Sequence, residues 1–357
     1  MSILLQRLGV QLPLVQAPMA GVSTPALAAA VSNAGALGSI GIGACSLSDA
    51  RLMVQQTRTL TDRFAVNVFC HKSPRVDAAA EAAWLDHLRV EFRRFDAVPP
   101  TELRTIYRSF RDDRAMATML IEESVPAVSF HFGLPVQSIV DDLKRAGALL
   151  LATVTNVDEA RAAEAAGIEV LVAQGYEAGG HRGVFAPDQK DSQLGTAALL
   201  KSLLKSGIRL PLIAAGGIMD GKQVAAALAS GAIAAQLGTA FVPCPESAAD
   251  DAYRAALAEG SKTAMVSAIS GRPARTLVNR WTERVIPRLV DGRPSPPDYP
   301  IAYDAGKALH AAAKVHGEGG YGAQWAGEGV AAARAMPAAD LIALLTEELA
   351  EATRVAA

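Results

Sequence analysis

Short apolar runs follow Ala-rich helical runs at regular intervals along the first 240 residues, with a glycine at each junction. The glycines are Gly35 in SNAGALGSIGIG, Gly147 in KRAGALLLATV, Gly167 in EAAGIEVLVAQG, Gly207 in KSGIRLPLIAAGG and Gly231 in ASGAIAAQLGT. A glycine just past a helix end supplies the left-handed turn that closes it. The apolar run after it reads as a strand covered on both faces, the mark of a parallel sheet. Ser48, ahead of Asp49, and Asn156, ahead of Val157-Asp158-Glu159, are expected N-caps. The pattern predicts strands at Leu14–Gln16, Leu37–Ile42, Phe64–Phe69, Ala127–Phe130, Leu149–Val154, Val170–Ala173, Leu212–Ala215 and Ala234–Leu237. Eight strands alternating with helices point to an α/β fold, a (β/α)8 TIM barrel, which takes ~250 residues. A doubly wound open sheet has the same local rhythm. The count of eight, and phosphate-type turns late in the chain, favour the barrel.

Two regions break the rhythm. Residues 71–125 are too long for one crossover helix and carry charge runs such as Arg89-Val90-Glu91-Phe92-Arg93-Arg94. Residues 261–357 follow the last strand and contain the loop Arg293-Pro294-Ser295-Pro296-Pro297. The expected division is a barrel over 1–260, with 71–125 as a long insertion between strands three and four. A smaller, mainly helical extra domain over 261–357 then covers the barrel mouth. A final helix is expected from Pro337, a favoured first-turn residue, with Leu341, Leu344, Leu345 and Leu349 on one face.

The chain has 357 residues, 50% hydrophobic and 20% charged, which excludes a disordered protein. With 34 Lys+Arg against 36 Asp+Glu there is no basic excess for a nucleic-acid partner. Residues 8–48 carry no charged residue or histidine. Pro13, Pro18, Pro25 and several glycines interrupt them, so they read as strand, loop and helix and not as a membrane span. No targeting segment is visible at the start. Cys45, Cys70 and Cys244 form neither a disulfide framework nor a zinc spacing. A cytoplasmic location and no metal are therefore expected.

In a barrel the active site lies at the C-terminal ends of the strands. Strand seven ends in Ala214-Ala215-Gly216-Gly217 and strand eight in Gln236-Leu237-Gly238-Thr239. Glycine turns at these two places let backbone N–H groups reach phosphate oxygens. Strand six runs into Gln174-Gly175-Tyr176-Glu177-Ala178-Gly179-Gly180-His181-Arg182-Gly183. There a histidine flanked by glycines in a loop reads as chemistry. Arg182 is equally an anion contact or a solvated charge. Strand one ends in Gln16-Ala17-Pro18-Met19, strand three presents Asn67, and strand four ends at His131, which either lines the site or packs in the core. His71, His87, His310 and His316 read as structural.

Taken in order, QAPMAGVSTPALAAAVSNAGALGSIG, VNVF, HFGLP, QGYEAGGHRG, PLIAAGGI and QLGTAF resemble the nitronate monooxygenases, formerly 2-nitropropane dioxygenases. The likeness continues through LVNRW, the Tyr299/Tyr303/Lys307 cluster and YGAQWAG, and so covers nearly the whole chain. It implies a class I type enzyme with non-covalent FMN in a TIM barrel. By position it implies that Asn67, Gln174, Gly179, Gly180, Gly216, Gly217, Gln236, Leu237, Gly238 and Thr239 bind FMN. The Ala17-Pro18-Met19 backbone would lie against the flavin ring. It further implies that His181 is catalytic and that His131, Tyr107, Tyr299, Tyr303 and Lys307 line the substrate pocket. The implied reaction is oxidative denitrification. An alkyl nitronate such as propionate 3-nitronate reacts with O2 to give a carbonyl product and nitrite.

The nearest alternative is an FMN-dependent NAD(P)H:quinone reductase or enoyl-ACP reductase, which share the glycine turns and the AGGHRG segment. The Tyr/Lys/Trp features of the C-terminal region argue for the monooxygenase. A non-redox barrel acting on a sugar phosphate explains the glycine turns but not Asn67 or Gln174. A flavin-binding protein without turnover leaves His181 without a purpose.

Overall fold

A computed structural model describes residues 3–356. The strands are β1 (Leu14–Gln16), β2 (Gly38–Gly41), β3 (Phe64–Phe69), β4 (Ala127–His131), β5 (Leu149–Val154), β6 (Val170–Gln174), β7 (Gly180–His181), β8 (Leu212–Ala215), β9 (Ala234–Leu237), β10 (Thr263–Val266) and β11 (Ala274–Leu277). Eight of them form one parallel sheet in the order β1-β9-β8-β6-β5-β4-β3-β2. A parallel bridge from Val15 to Leu37 joins its ends, with Gln16 N–H donating to Leu37 O at 2.9 Å. The sheet is therefore a closed barrel. Barrel strands seven and eight are β8 and β9. The five glycines at the helix–strand junctions all take positive φ, from 82° to 97°.

Barrel helices are set by local capping. Thr24 accepts from Leu27 N–H ahead of α2 (Pro25–Asn33), and Asn156 accepts from Glu159 N–H ahead of α7 (Val157–Ala165). One cap differs from the expectation. The helix α3 (Leu47–Arg58) begins at Ser46, not Ser48. Ser46 Oγ accepts from Asp49 N–H and donates to its carboxylate, a reciprocal box that Ser48 is too late in the chain to make.

Side chains that alternate along the strands divide the core. Val15, Ala65, Ala127, Leu151, Val172 and Ile213 fill the barrel interior, closed from below by Leu4 and Leu8 of α1 (Ile3–Leu8). Leu14, Val66, Val128, Leu171 and Leu212 point outward to the helices. Toward the C-terminal ends the interior turns polar, with Asn67, Ser129, Thr153 and Gln174 buried there.

The insertion splits in two. Its last part is α5 (Arg114–Glu122), capped by Asp113, which packs on α3 and on α6 (Gln137–Arg145) as an ordinary barrel helix. Its first part, α4 (Ala78–Arg93), packs on α11 (Ile301–Val315). Trp84, Leu88 and Phe92 share a second core with Trp281, Leu309 and Ala313. Within the charge run, Glu91 is fully buried and receives Tyr321 Oη–H and the guanidinium groups of Arg94 and Arg288. Burial alone would raise its pKa; the Tyr321 hydroxyl and the two arginines outweigh that and hold it down. This region also carries a three-stranded antiparallel sheet, β10-β11-β7, beside its helices.

The last helix, α12 (Ala338–Ala356), departs from the expectation that all of 261–357 covers the mouth. It packs outside the barrel, against α2 and α9 (Gly221–Ala229), with Leu341, Ile342 and Leu345 buried in the main core. Leu345→Ala should accordingly lower stability by about 2–5 kcal/mol, as deletion of a buried leucine from a barrel core does. Denaturant unfolding monitored by far-UV circular dichroism measures this. A change within error would show that α12 is not part of the barrel core.

Candidate active site

A cavity of about 670 Å³ opens at the C-terminal ends of the barrel strands. Its wall contains Ala17, Pro18, Met19, Asn67, Gln174, Gly179, Gly180, Gly216, Gly217, Gln236, Gly238 and Thr239 from the barrel. His131, His181, Tyr107, Tyr299, Tyr303 and Lys307 line it as well. Of the residues that the resemblance assigns to the cofactor, the substrate pocket or catalysis, only Leu237 is missing from the wall. It follows Gln236 on β9, so its side chain points the other way, into the apolar core.

Backbone geometry forms the floor on one side. Gly216 and Gly217 at the end of β8 have φ of +128° and +70°. A Cβ on Gly217 would come within 3.1 Å of Glu177 Cβ. Gly238 and Thr239 follow β9, which pairs with β8. Among the described residues the N–H groups of Gly216, Gly217 and Thr239 donate to nothing in the chain. Such orphaned donors at adjacent glycine turns form a cradle for a phosphate. The nearby N-terminus of α8 (Thr196–Lys205) is already filled, because the Glu177 carboxylate accepts from Thr196 N–H at 2.9 and 3.1 Å. The β1 loop is held by side chains behind it. Gln16 Nε2 donates to Ser23 Oγ at 2.9 Å and to Ala17 O, and Met19 N–H donates to Ser23 Oγ at 2.9 Å.

His181 is fixed from several directions. Its strand, β7, pairs with β11 in the register Ala274–His181. Its carbonyl oxygen accepts from Gln174 Nε2 at 3.0 Å and from His131 Nε2 at 3.2 Å. Gln174 Oε1 accepts from Gly183 N–H at 2.7 Å, so this amide is spent on clamping the 181–183 loop. The His181 ring is 2.9 Å, through Nε2, from Ser270 Oγ. Around it stand the rings of Phe132, Tyr299, Tyr303 and Trp325, with centroids 5.0–6.1 Å away. Burial, then the neighbouring His131 and Arg272, lower its pKa to about 3. His131 is lowered to about 4, chiefly by burial. Both rings are neutral at pH 7.

Arg182 is neither an anion contact in the cavity nor solvated. It is buried, with Nε and Nη2 on the Asp191 carboxylate at 2.8 and 3.0 Å and Nη1 on Gln174 O. His131 lines the cavity and also takes part in the hydrogen bonding behind it. Asn67 donates to Ser129 O and Oγ at 3.1 and 2.8 Å.

The helix α11 supplies the opposite wall. Tyr303, Lys307, His310 and Lys314 lie three or four residues apart on one face, and all line the cavity. Lys307 Nζ sits 5.2 Å from the Tyr107 ring centre and 5.5 Å from that of Tyr303. Loss of hydration there lowers its pKa, against the pull of Asp304. Tyr299 is buried with no partner for its hydroxyl among the described residues, and burial raises its pKa strongly.

Sequence reasoning missed His310, read as structural, although its i+3 spacing from Lys307 was visible. It also missed Lys314, Tyr253, Trp325 and Ser270. Tyr253 donates its hydroxyl to Trp325 O. Nothing in the sequence marked Ser270, which reaches the site only through the pairing of β7 with β11. Among the described residues no group of three or more His, Cys, Asp or Glu is placed to hold a metal ion, and no helix is long and apolar enough to cross a membrane.

The chain matches the family model described as Nitronate monooxygenase over residues 1–348. It is 55% identical over 350 residues to a nitronate monooxygenase of Paraburkholderia phytofirmans, covering 97% of this chain and 94% of that one. It is 51% identical to a nitronate monooxygenase of Pseudomonas aeruginosa, covering 96% and 97%. Among solved structures, a nitroalkane oxidase from Streptomyces ansochromogenes superposes with a TM-score of 0.89 at 39% identity, covering 100% of both chains. FabK from Thermotoga maritima superposes less closely, with a TM-score of 0.76 at 28% identity over 99% and 98%.

Three histidines held neutral, the buried His71 and the half-buried His131 and His181, make stability depend on pH. His71, His131 and His181 have folded-state pKa values of about 4, 4 and 3, against an ordinary 6.5. Below 6.5 the unfolded chain takes up protons that the folded chain refuses, so stability is complete above 6.5 and falls as the pH drops toward 4. Urea unfolding at pH 7, 6 and 5 should show this loss, and His71→Phe should reduce its slope. A stability independent of pH over that range would contradict neutral burial.

Proposed function

Since the chain belongs to the nitronate monooxygenase family, a flavin-dependent oxidoreductase family, we propose that it catalyses FMN-dependent oxidative denitrification of alkyl nitronates. Its partners are a small anionic nitronate, propionate 3-nitronate among them, and O2, and it works in the cytoplasm. The observation that carries this reading is the cavity itself. A phosphate cradle at β8 and β9, the β1 loop and His181 face one space, roofed by Tyr299, Tyr303 and Lys307.

The residues fit a mononucleotide. Gly216, Gly217, Gly238 and Thr239 would hold its single phosphate, and Ala17–Met19 and Asn67 would border its ring. The polar amide of Gln174 supports the same site indirectly, by holding the His181 loop. FMN would supply the electron-accepting and O2-reacting chemistry. The chain supplies placement and electrostatics. The Lys307 ammonium, at the rim of the pocket, can pair with the carboxylate of a carboxylated nitronate. Such a charge-assisted contact contributes ~1.5–3 kcal/mol. The aromatic rings around His181 exclude water from the reacting carbon. Burial supports a neutral His181, which suits it to hydrogen bonding with a nitronate or to taking the α-proton of a neutral nitroalkane, and not to a fixed cationic role. A nicotinamide dinucleotide fits this roofed space less well than a short nitronate.

Heat release followed by chromatography should recover FMN, near one per chain, and no FAD. Gly217→Asp should purify colourless, because its φ of +70° strains any side chain and the new carboxylate repels a phosphate. A yellow Gly217→Asp protein with normal FMN content would place the phosphate elsewhere.

Under anaerobic conditions propionate 3-nitronate should reduce the flavin absorbance rapidly, with NADH and NADPH slow or inert. In air, nitrite should appear with oxygen uptake. His181→Asn should keep its FMN and lose turnover by ~10²–10⁴-fold if the histidine acts as an acid or base. Fast bleaching by NADH with the nitronate inert would reject the monooxygenase reading in favour of a quinone or enoyl reductase. Normal turnover by His181→Asn would remove that residue from the mechanism.

A further inference from the structure

Ser270 is completely buried and lies outside the cavity wall, yet its hydroxyl touches the one histidine that faces the cavity from β7. A serine hydroxyl has one proton to give. The carbonyl oxygen of Arg272 lies 3.2 Å from Ser270 Oγ and can only accept. With that proton directed to Arg272 O, Ser270 Oγ is an acceptor toward His181, 2.9 Å from Nε2. We propose that Ser270 is a positioning residue that holds neutral His181 in its Nε2–H tautomer, leaving Nδ1 as the proton-accepting atom of the ring.

The surroundings keep this arrangement fixed. Gly271 has φ +85°, and a Cβ there would fall 2.1 Å from Pro297 O and 2.7 Å from Tyr299 N. The turn that carries Ser270 is therefore pressed against the segment leading into Tyr299. Its other neighbour, Arg272, lays its guanidinium 4.2 Å from the centre of the Phe132 ring, which meets His181 edge-on. The Arg272 side chain donates to Val184 O and has no carboxylate partner in ion-pair range among the described residues. The charged group facing His181 is thus Arg272, while His131 and the tyrosines 299 and 303 are neutral. A second proton on the ring is disfavoured by burial and by the neighbouring His131 and Arg272, so that what remains to be set is the tautomer, and Ser270 is the group in contact with a ring nitrogen.

The assignment fixes the direction of proton movement. If the Cα–H of a neutral nitroalkane meets Nδ1, that C–H bond breaks and the proton bonds to Nδ1, giving an imidazolium whose Nε2–H still points at Ser270. The electron pair of the C–H bond becomes the C=N bond of the nitronate, and the negative charge settles on the nitro oxygens. No other oxidant or reductant takes part in this step.

The inference rests on His181 acting in the reaction, and the test separates the two. The first measurement is 15N NMR of the flavin-loaded wild-type protein, labelled at histidine, at pH 7. His181, assigned by its loss in His181→Asn, should show a protonated Nε2 and a bare Nδ1. A proton on Nδ1 would overturn the proposal without any variant. The second is Ser270→Ala, whose His181 signals should move toward the exchange average of the two tautomers. Its kcat with neutral nitroethane, which still carries the Cα proton, should fall about two- to tenfold, the effect of losing one orienting hydrogen bond, with KM little changed. Ser270→Thr, which retains the hydroxyl, should restore both. Should Ser270→Ala fold poorly, the wild-type spectrum and Ser270→Thr still decide. If His181→Asn abolishes turnover while Ser270→Ala keeps a wild-type spectrum and rate, the proposal falls and the site reading stands. If His181→Asn turns over normally, the site reading itself falls.

Discussion

Two residues of backbone pairing tie the molecule's halves together. Gly180 and His181 leave the sixth barrel strand and pair antiparallel with Ala274 and Arg275 of the region beyond the barrel. Their position is enforced from the other side by Gln174 and His131, which both donate to His181 O. The histidine's backbone is thus held by a sheet on one edge and by two side-chain donors on the other. Gly179 allows the approach, since a Cβ there would come within 2.5 Å of Gly327 N. A site residue built this way is as rigid as a strand although it stands in a loop.

The same pairing brings a dry, weakly positive environment onto the histidine. Phe132, Tyr299 and Trp325 remove water, and Arg272 adds a buried charge with no carboxylate in ion-pair range among the described residues. Desolvation and that charge act in one direction on His71, His131 and His181, so all three stay neutral. An anion arriving in the cavity meets Lys307 and not an array of imidazolium groups.

The barrel was legible because its signals are local. Each strand is a short apolar run, five of them directly behind a helix-closing glycine, and all eight expected segments lie in the sheet within a residue or two. The cavity residues at the strand ends followed, because a parallel barrel leaves only one place for chemistry, whereas Tyr107, Tyr299, Tyr303 and Lys307 were reached only through the family resemblance. Ser46 in place of Ser48 shows the limit of such reading, since two serines compete for a cap and only the reciprocal bond to Asp49 decides between them. Arg182 and Gln174 show another. Both sit in the most informative motif of the chain, yet their side chains serve the loop, pairing with Asp191 and Gly183. Ser270, Tyr253 and α12 were out of reach for a different reason. Their places depend on contacts between segments far apart in sequence, which no local pattern records.

The return of α12 to the outside of the barrel has a mechanical meaning. Chain leaving the barrel after β9 passes over the mouth and then comes back to be anchored by Leu341, Ile342 and Leu345 against α2 and α9. The excursion between β3 and β4 likewise begins and ends on the barrel, through α5, and its α4 is packed into the same roof. The covering layer is therefore a vault with every footing set in the wall, not a door on a single hinge. Opening it as one piece would require several footings to give way together. Traffic into such a chamber is cheaper through side-chain rotation at the rim, along the Lys307–Lys314 face of α11, than through any swing of the roof.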